Sequence, residues 1–160
     1  MKNIELKKVE FGGVTLQIPE IWKVETEKYK EPDGRECAMI EIEASEGDPR
    51  SIVISYGPKP EGSDALMEAS GTYEELIGEI GPAEEDDPIC EYDFLGTTAF
   101  GFDVPTEDQM ACNFMCAEVG SPAQLESGVG CRLFTILTTA QSYEDIDDLL
   151  DMVEEYLHME

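Results

Sequence analysis

The sequence predicts one α+β domain over residues 1–160, an antiparallel β-sheet flanked by two or three α-helices. Three observations lead there. Short apolar stretches alternate with polar residues and are separated by Gly, Pro and Asp turns. Two longer stretches carry apolar residues at helical spacing instead. The order along the chain is strands, helix, strands, helix, as expected of a sheet with helices packed against it.

The opening residues 4–11 place Ile4 and Leu6, then Val9 and Phe11 after a phase shift. Gly12-Gly13 is a two-residue turn signal, and Val14, Leu16 and Ile18 alternate up to Pro19, which makes a hairpin with one buried face. Pro19-Glu20-Ile21-Trp22 reads as a corner that Trp22 anchors to the core. Residues 23–31 and 35–44 form a second pair across Pro32-Asp33-Gly34. The β-branched run Ser51–Tyr56 is a central strand, ended by Pro58 and Pro60.

The period then changes. Over residues 63–80, Tyr73, Leu76, Ile77 and Ile80 sit at helical spacing. Thr72 and Glu75 form a capping-box pattern, and Gly71 predicts a break between a short helical piece and a longer one. Gly81-Pro82 stops the helix. After the acidic loop Glu84-Glu85-Asp86-Asp87-Pro88, residues 89–94 and 97–104 pair across Leu95-Gly96. Thr106-Glu107-Asp108 turns the chain into a strand over 109–119. Residues 120–130, rich in Gly, Ser and Pro, read as a loop before a strand over 131–140. Ser142 and Asp145 then cap the clearest helix, with Ile146, Leu149, Leu150, Val153 and Leu157 on one stripe.

Composition fits such a domain. Hydrophobic residues make up 41% of 160, enough apolar material to offset the entropy of ordering. At this size roughly two-thirds of the unfolded surface can be buried without disulfides. The charge is distinctive. Residues 1–59 hold 9 basic and 12 acidic side chains, whereas residues 60–160 hold Arg132 alone against 25 acids. Phosphate contacts need Lys or Arg, so nucleic acid and anionic membranes are excluded as partners. A basic surface is the natural complement. The start, Met1-Lys2-Asn3-Ile4-Glu5-Leu6, lacks an apolar signal run, and no stretch reaches the ~18 apolar residues of a membrane span. A soluble, cytoplasmic protein is expected.

Several constellations bear on chemistry. His158 is the single histidine and lies near the end, so a Ser-His-Asp or Cys-His arrangement would depend on it. The five cysteines, Cys37, Cys90, Cys112, Cys116 and Cys131, are odd in number and irregularly spaced, unlike a secreted disulfide framework. Cys112 and Cys116 on one strand stand about 13 Å apart, too far to share a zinc ion. Asp145-Ile146-Asp147-Asp148 lacks the central Gly of a calcium loop. Gly128-Val129-Gly130 has neither a Walker Lys nor the rest of a dinucleotide fingerprint. No cofactor, metal or catalytic set is therefore assigned.

The segment Phe11-Gly12-Gly13-Val14-Thr15-Leu16-Gln17-Ile18-Pro19-Glu20-Ile21-Trp22 is a strand ending in Pro-x-x-Trp. With the middle helix, the hairpin around Phe94-Leu95-Gly96-Thr97-Thr98-Ala99, and a late strand leading into the closing helix, it resembles the PsbP-like fold family. That family includes the photosystem II extrinsic subunit, Ran-binding import factors, and bacterial DcrB-like and Eag-type proteins. The resemblance spans nearly the whole chain and implies a binding or assembly module. No partner-binding motif matches position by position, so no functional residues carry over.

The expected function is that of an adaptor, chaperone or immunity-like module docking a basic or amphipathic protein segment. Glu84, Glu85, Asp86, Asp87, Asp148 and Asp151 are the candidate partner-binding residues. An enzyme using carboxylates in a cleft is the alternative and requires a deep pocket with perturbed acids. A structural domain is the third reading and would spread its acids evenly.

Overall fold

The computed structural model describes residues 5–11, 14–32, 34–45, 47–59, 62, 64–76, 89–94, 97–104, 110–120, 122–127 and 131–159. The expected turns at Gly12-Gly13, Leu95-Gly96 and Thr106-Glu107-Asp108 lie outside them, as do Asp33, the helix stop at Gly81-Pro82 and Gly128-Val129-Gly130.

The opening hairpin pairs β1 (Leu6–Phe11) with β2 (Val14–Pro19), and Phe11 faces Val14 across the ladder. The short strand β10 (His158–Met159) joins β2 on its other side. His158 therefore lies past the last helix, in a strand. The second sheet is larger. In chain order it contains β3 (Lys23–Lys30), β4 (Glu36–Glu43), β5 (Ser51–Pro58), β6 (Cys90–Phe94), β7 (Thr97–Asp103), β8 (Ala111–Val119) and β9 (Arg132–Ala140). Their spatial order is β3-β4-β5-β9-β8-β7-β6, and every pairing is antiparallel.

One face of this sheet builds the main core. Ile40, Ile42, Ile52, Ile54, Phe134 and Ile136 pack against Val14, Leu16 and Ile18 of the small sheet. Helix α3 (Tyr143–Tyr156) completes that layer with Ile146, Leu149 and Val153. Ser142 caps it as its spacing predicts, its hydroxyl accepting a hydrogen bond from the Asp145 amide at 3.2 Å. Trp22 is buried in this core, and the Arg50 guanidinium stacks 4.9 Å from its ring centroid. Asp48 grips the same guanidinium through Nε at 3.0 Å, and this bond holds its carboxyl below the usual carboxylate range. The Tyr56 hydroxyl donates to the Phe11 carbonyl, tying the small sheet to β5.

Helix α1 (Ala65–Leu76) covers part of the opposite face. Ala65, Ala69 and Tyr73 rest on Phe102, Phe114, Cys116 and Leu133. The expected break at Gly71 does not occur, because the helix runs through it unbroken. Burial of Ala65 and Ala69 on one side of Gly71, and of Tyr73 on the other, outweighs the weak propensity of one glycine. The capping pattern at Thr72 is also superseded. Thr72 lies inside the helix and donates to the Glu68 carbonyl at 2.9 Å, while Asp64 accepts from the Met67 amide at 2.8 Å and caps the start. The stretch 120–130, expected as loop, contains a short helix α2 (Pro122–Ser127) that begins with Pro at a position the first turn favours. Among the described residues no helix is long and apolar enough to cross a membrane.

Two glycines test this arrangement with opposite signs. A Cβ at Gly71 would meet nothing within 4 Å, so Gly71→Ala gains helix propensity and raises the melting temperature by about 2–4 °C. A Cβ at Gly101 would collide with the Phe114 backbone carbonyl across the β7–β8 ladder. Gly101→Ala therefore lowers melting by roughly 5 °C or more, read by calorimetry. Burial pushes the Tyr56 hydroxyl up to about 12, with Arg132 pulling weakly the other way. The folded state keeps this phenol neutral, so its contribution is complete below about pH 10 and is lost as pH rises towards 12. Denaturation midpoints measured from pH 9 to 12 fall more steeply for the wild type than for Tyr56→Phe.

Candidate functional site

On the face shared with α3, β7 presents Ala99 and Gly101, which stand opposite Ala117 and Met115 of β8. Both are buried, and β6 lies beyond them at the edge of the sheet. An open groove of about 330 Å³ runs between α3 and β6. Its floor is lined by Phe94 and Met115, both almost completely buried, and by half-buried Leu150. Tyr92 and Asp93 of β6 form one wall, and Asp147, Asp151 and Glu154 line the α3 side.

Those three acids lie at i, i+4 and i+7, so one flank of α3 carries them in a row. Among the described residues neither Asp147 nor Asp151 has an ion-pair partner. Like charges four apart cost the helix about 0.2–0.5 kcal/mol per pair, so the row is retained against local stability. The volume is at the small end for a small-molecule site, and the groove is open along its length.

Beneath the groove lies a polar cluster. The Asn113 Nδ2 group points at the Tyr92 hydroxyl at 3.5 Å, the Phe102 carbonyl at 3.3 Å and Asp103 Oδ1 at 3.2 Å. Burial raises the Tyr92 hydroxyl, partly opposed by its bond to Asn113, with Cys90 and Asp103 adding to the rise. Asn113 stands opposite Thr138 across β8–β9, and Asn113 Oδ1 and Thr138 Oγ1 are both buried without a hydrogen-bond partner. Such atoms are uncommon in a folded interior. A second shallow groove opens near the other sheet edge, among Glu25, Glu27, Met39 and Glu41. Glu25 and Glu41 stand directly opposite each other there, a mildly repulsive cross-strand pair.

Of the residues singled out in the sequence, Asp151 lines the α3–β6 groove. Asp148 is exposed on the other flank of α3, where its charge acts on Arg50. The structure thus separates two residues that the sequence grouped together. Glu84, Glu85, Asp86 and Asp87 lie outside the described residues. Sequence reasoning missed Asp147, although its spacing to Asp151 and Glu154 was visible. It also missed Tyr92, Phe94 and Met115, whose convergence depends on strand order. The acids are not confined to one face. Exposed Glu74 and Glu75 lie on α1, and exposed Asp147, Asp148 and Asp151 on α3, on opposite sides of the large sheet.

Cys112 and Cys116 are both buried on β8, and burial raises both thiols. Among the described residues no group of three His, Cys, Asp or Glu side chains is placed to hold a metal. No protein-family model, curated protein or solved structure matches the chain.

Cys90 at the edge of the groove is exposed, whereas Cys37, Cys112, Cys116 and Cys131 are buried. A chromogenic thiol reagent therefore titrates one fast thiol in the native protein and all five in denaturant. The fast modification maps to Cys90 by peptide mass analysis.

Proposed function

We propose that the protein is a binding module whose α3–β6 groove docks a basic or amphipathic segment of another protein. One observation carries this reading: an open groove, where half-buried Leu150 and Tyr92 stand over buried Phe94 and Met115, runs beside a row of carboxylates in which, among the described residues, Asp147 and Asp151 have no ion-pair partner. Apolar contact supplies affinity, and the acids supply steering and orientation towards a basic partner. The PsbP-like resemblance of the sequence also points to an adaptor or chaperone. All five cysteines are free, as suits a cytoplasmic setting. Among the described residues the carboxylate whose shift stands out is Asp48, held low by its bond to Arg50 at the Trp22 corner rather than in a cleft. This weighs towards binding and away from carboxylate catalysis.

The double variant Asp147→Lys/Asp151→Lys tests the proposal. It relieves like-charge repulsion on α3, so the free protein melts at the same temperature or slightly higher. Proteins retained from native lysate by the wild type are lost by the variant. They are also lost by the wild type as salt is raised from 50 to 500 mM. Retention of the same proteins by wild type and variant would refute the docking site.

A further inference from the structure

We infer that the docked segment enters the groove as an extended strand, adding an eighth strand to the large sheet along β6, with Lys or Arg alternating with apolar residues. This rests on the docking reading above and specifies its partner. β6 ends the strand order, and β7 is its partner. Among the described residues no backbone group of Cys90–Phe94 bonds outside the β7 ladder. An edge of this kind presents a row of unpaired amides and carbonyls. Five residues offer roughly 17 Å of template, enough for a short added strand.

The two edges of the sheet differ in what they admit. β3, at the far edge, carries Lys23, Glu25, Glu27, Lys28 and Lys30, so an incoming strand of either sign meets repulsion. β6 carries only acids, Glu91 and Asp93, both exposed. Pairing with a second copy is disfavoured by the same residues. An antiparallel β6–β6 contact centred on Tyr92 sets Glu91 opposite Asp93 of the other copy, twice, beside two acidic α3 helices. A basic strand instead neutralises Glu91 and Asp93 at its own alternate positions, on the sheet face away from α3, while Asp147 and Asp151 attract it through their field at low salt. Its remaining side chains turn towards Tyr92 and Phe94, which share the groove-side face of β6. A helix in the groove would cover the β6 edge without bonding it, leaving amides and carbonyls desolvated and unpaired.

The probe is a nine-residue peptide of alternating Lys and Val. It is compared with the same peptide N-methylated at alternate backbone nitrogens along one edge and then the other, and with a helical Lys/Leu peptide of equal charge. Binding is read by fluorescence anisotropy, and amide hydrogen exchange is followed over residues 90–94. The inference expects tightest binding by the unmodified extended peptide and at least tenfold loss on methylating one edge only. Exchange at β6 should slow at least tenfold in the complex. Asp147→Lys/Asp151→Lys should weaken all cationic peptides. If both methylated peptides and the helical peptide bind as well as the extended one, and the double variant still weakens them, strand addition is wrong and the docking site stands. If no peptide binds, or the double variant leaves binding unchanged, both fail together.

Discussion

The fold depends on burying the two faces of one seven-stranded sheet unequally. The face beneath the small sheet and α3 is apolar along β4, β5 and β9, with Ile40, Ile52, Ile54 and Ile136 almost completely buried. The other face changes character along its width. Across β3 and β4 it carries Glu25, Glu27, Glu41 and Glu43, and at β7 and β8 it turns to Phe102, Phe114 and Cys116. Helix α1 sits where that face is apolar. Burial of apolar area is the dominant favourable term, so this pattern alone assigns each helix its place. The α3–β6 groove follows from the same arrangement, because α3 leans on β8, β9 and β2 while β6 lies at the edge of the sheet.

Much of this was legible in the chain. Alternation located the opening hairpin, the β3–β4 pair, and the strands that became β6 to β9, since a half-buried strand writes its face into the sequence. The closing helix was legible from its stripe and its Ser142 cap. The insertion of β9 between β5 and β8 was not, because nothing local in Ser51–Pro58 says which distant strand it meets. Gly71 misled for a related reason: local propensity is a weak prior that packing by Ala69 and Tyr73 overrides. Of the two α3 acids grouped in the sequence, Asp151 lines the groove and Asp148 does not. A charge list records proximity in sequence, whereas on α3 the charge of Asp148 acts on Arg50 and Asp151 lines the groove. The groove surface was invisible because Phe94, Met115 and Leu150 meet only after the sheet is assembled.

The near-neutral first part of the chain and the acidic remainder are not electrostatically separate bodies. Lys59 at the end of β5 pairs with Glu118 of β8 at 3.0 Å, both largely sheltered from solvent. Arg50 feels Asp145 and Asp148 of α3 while it stacks on Trp22. The few cations of the first part are thus spent partly on acids of the second, near where the two meet. The flank of α3 that faces β6 is on the far side from Arg50, which leaves Asp147 and Asp151 available.

The strand order also shapes how the chain can come together during synthesis. β1 to β5 emerge first, yet β5 pairs on one side with β9, and Ser51 meets Thr139 there. Until β9 is made, the Ile52-Val53-Ile54 edge has no native neighbour on that side. A β-branched edge held open in this way is a site for wrong pairing on the ribosome. The long loop that the β5–β9 contact closes also makes folding slow relative to helical proteins of this length. The acids emerging between β5 and β9 give the unfinished chain a strong like charge during that wait, which serves solubility before the sheet is complete.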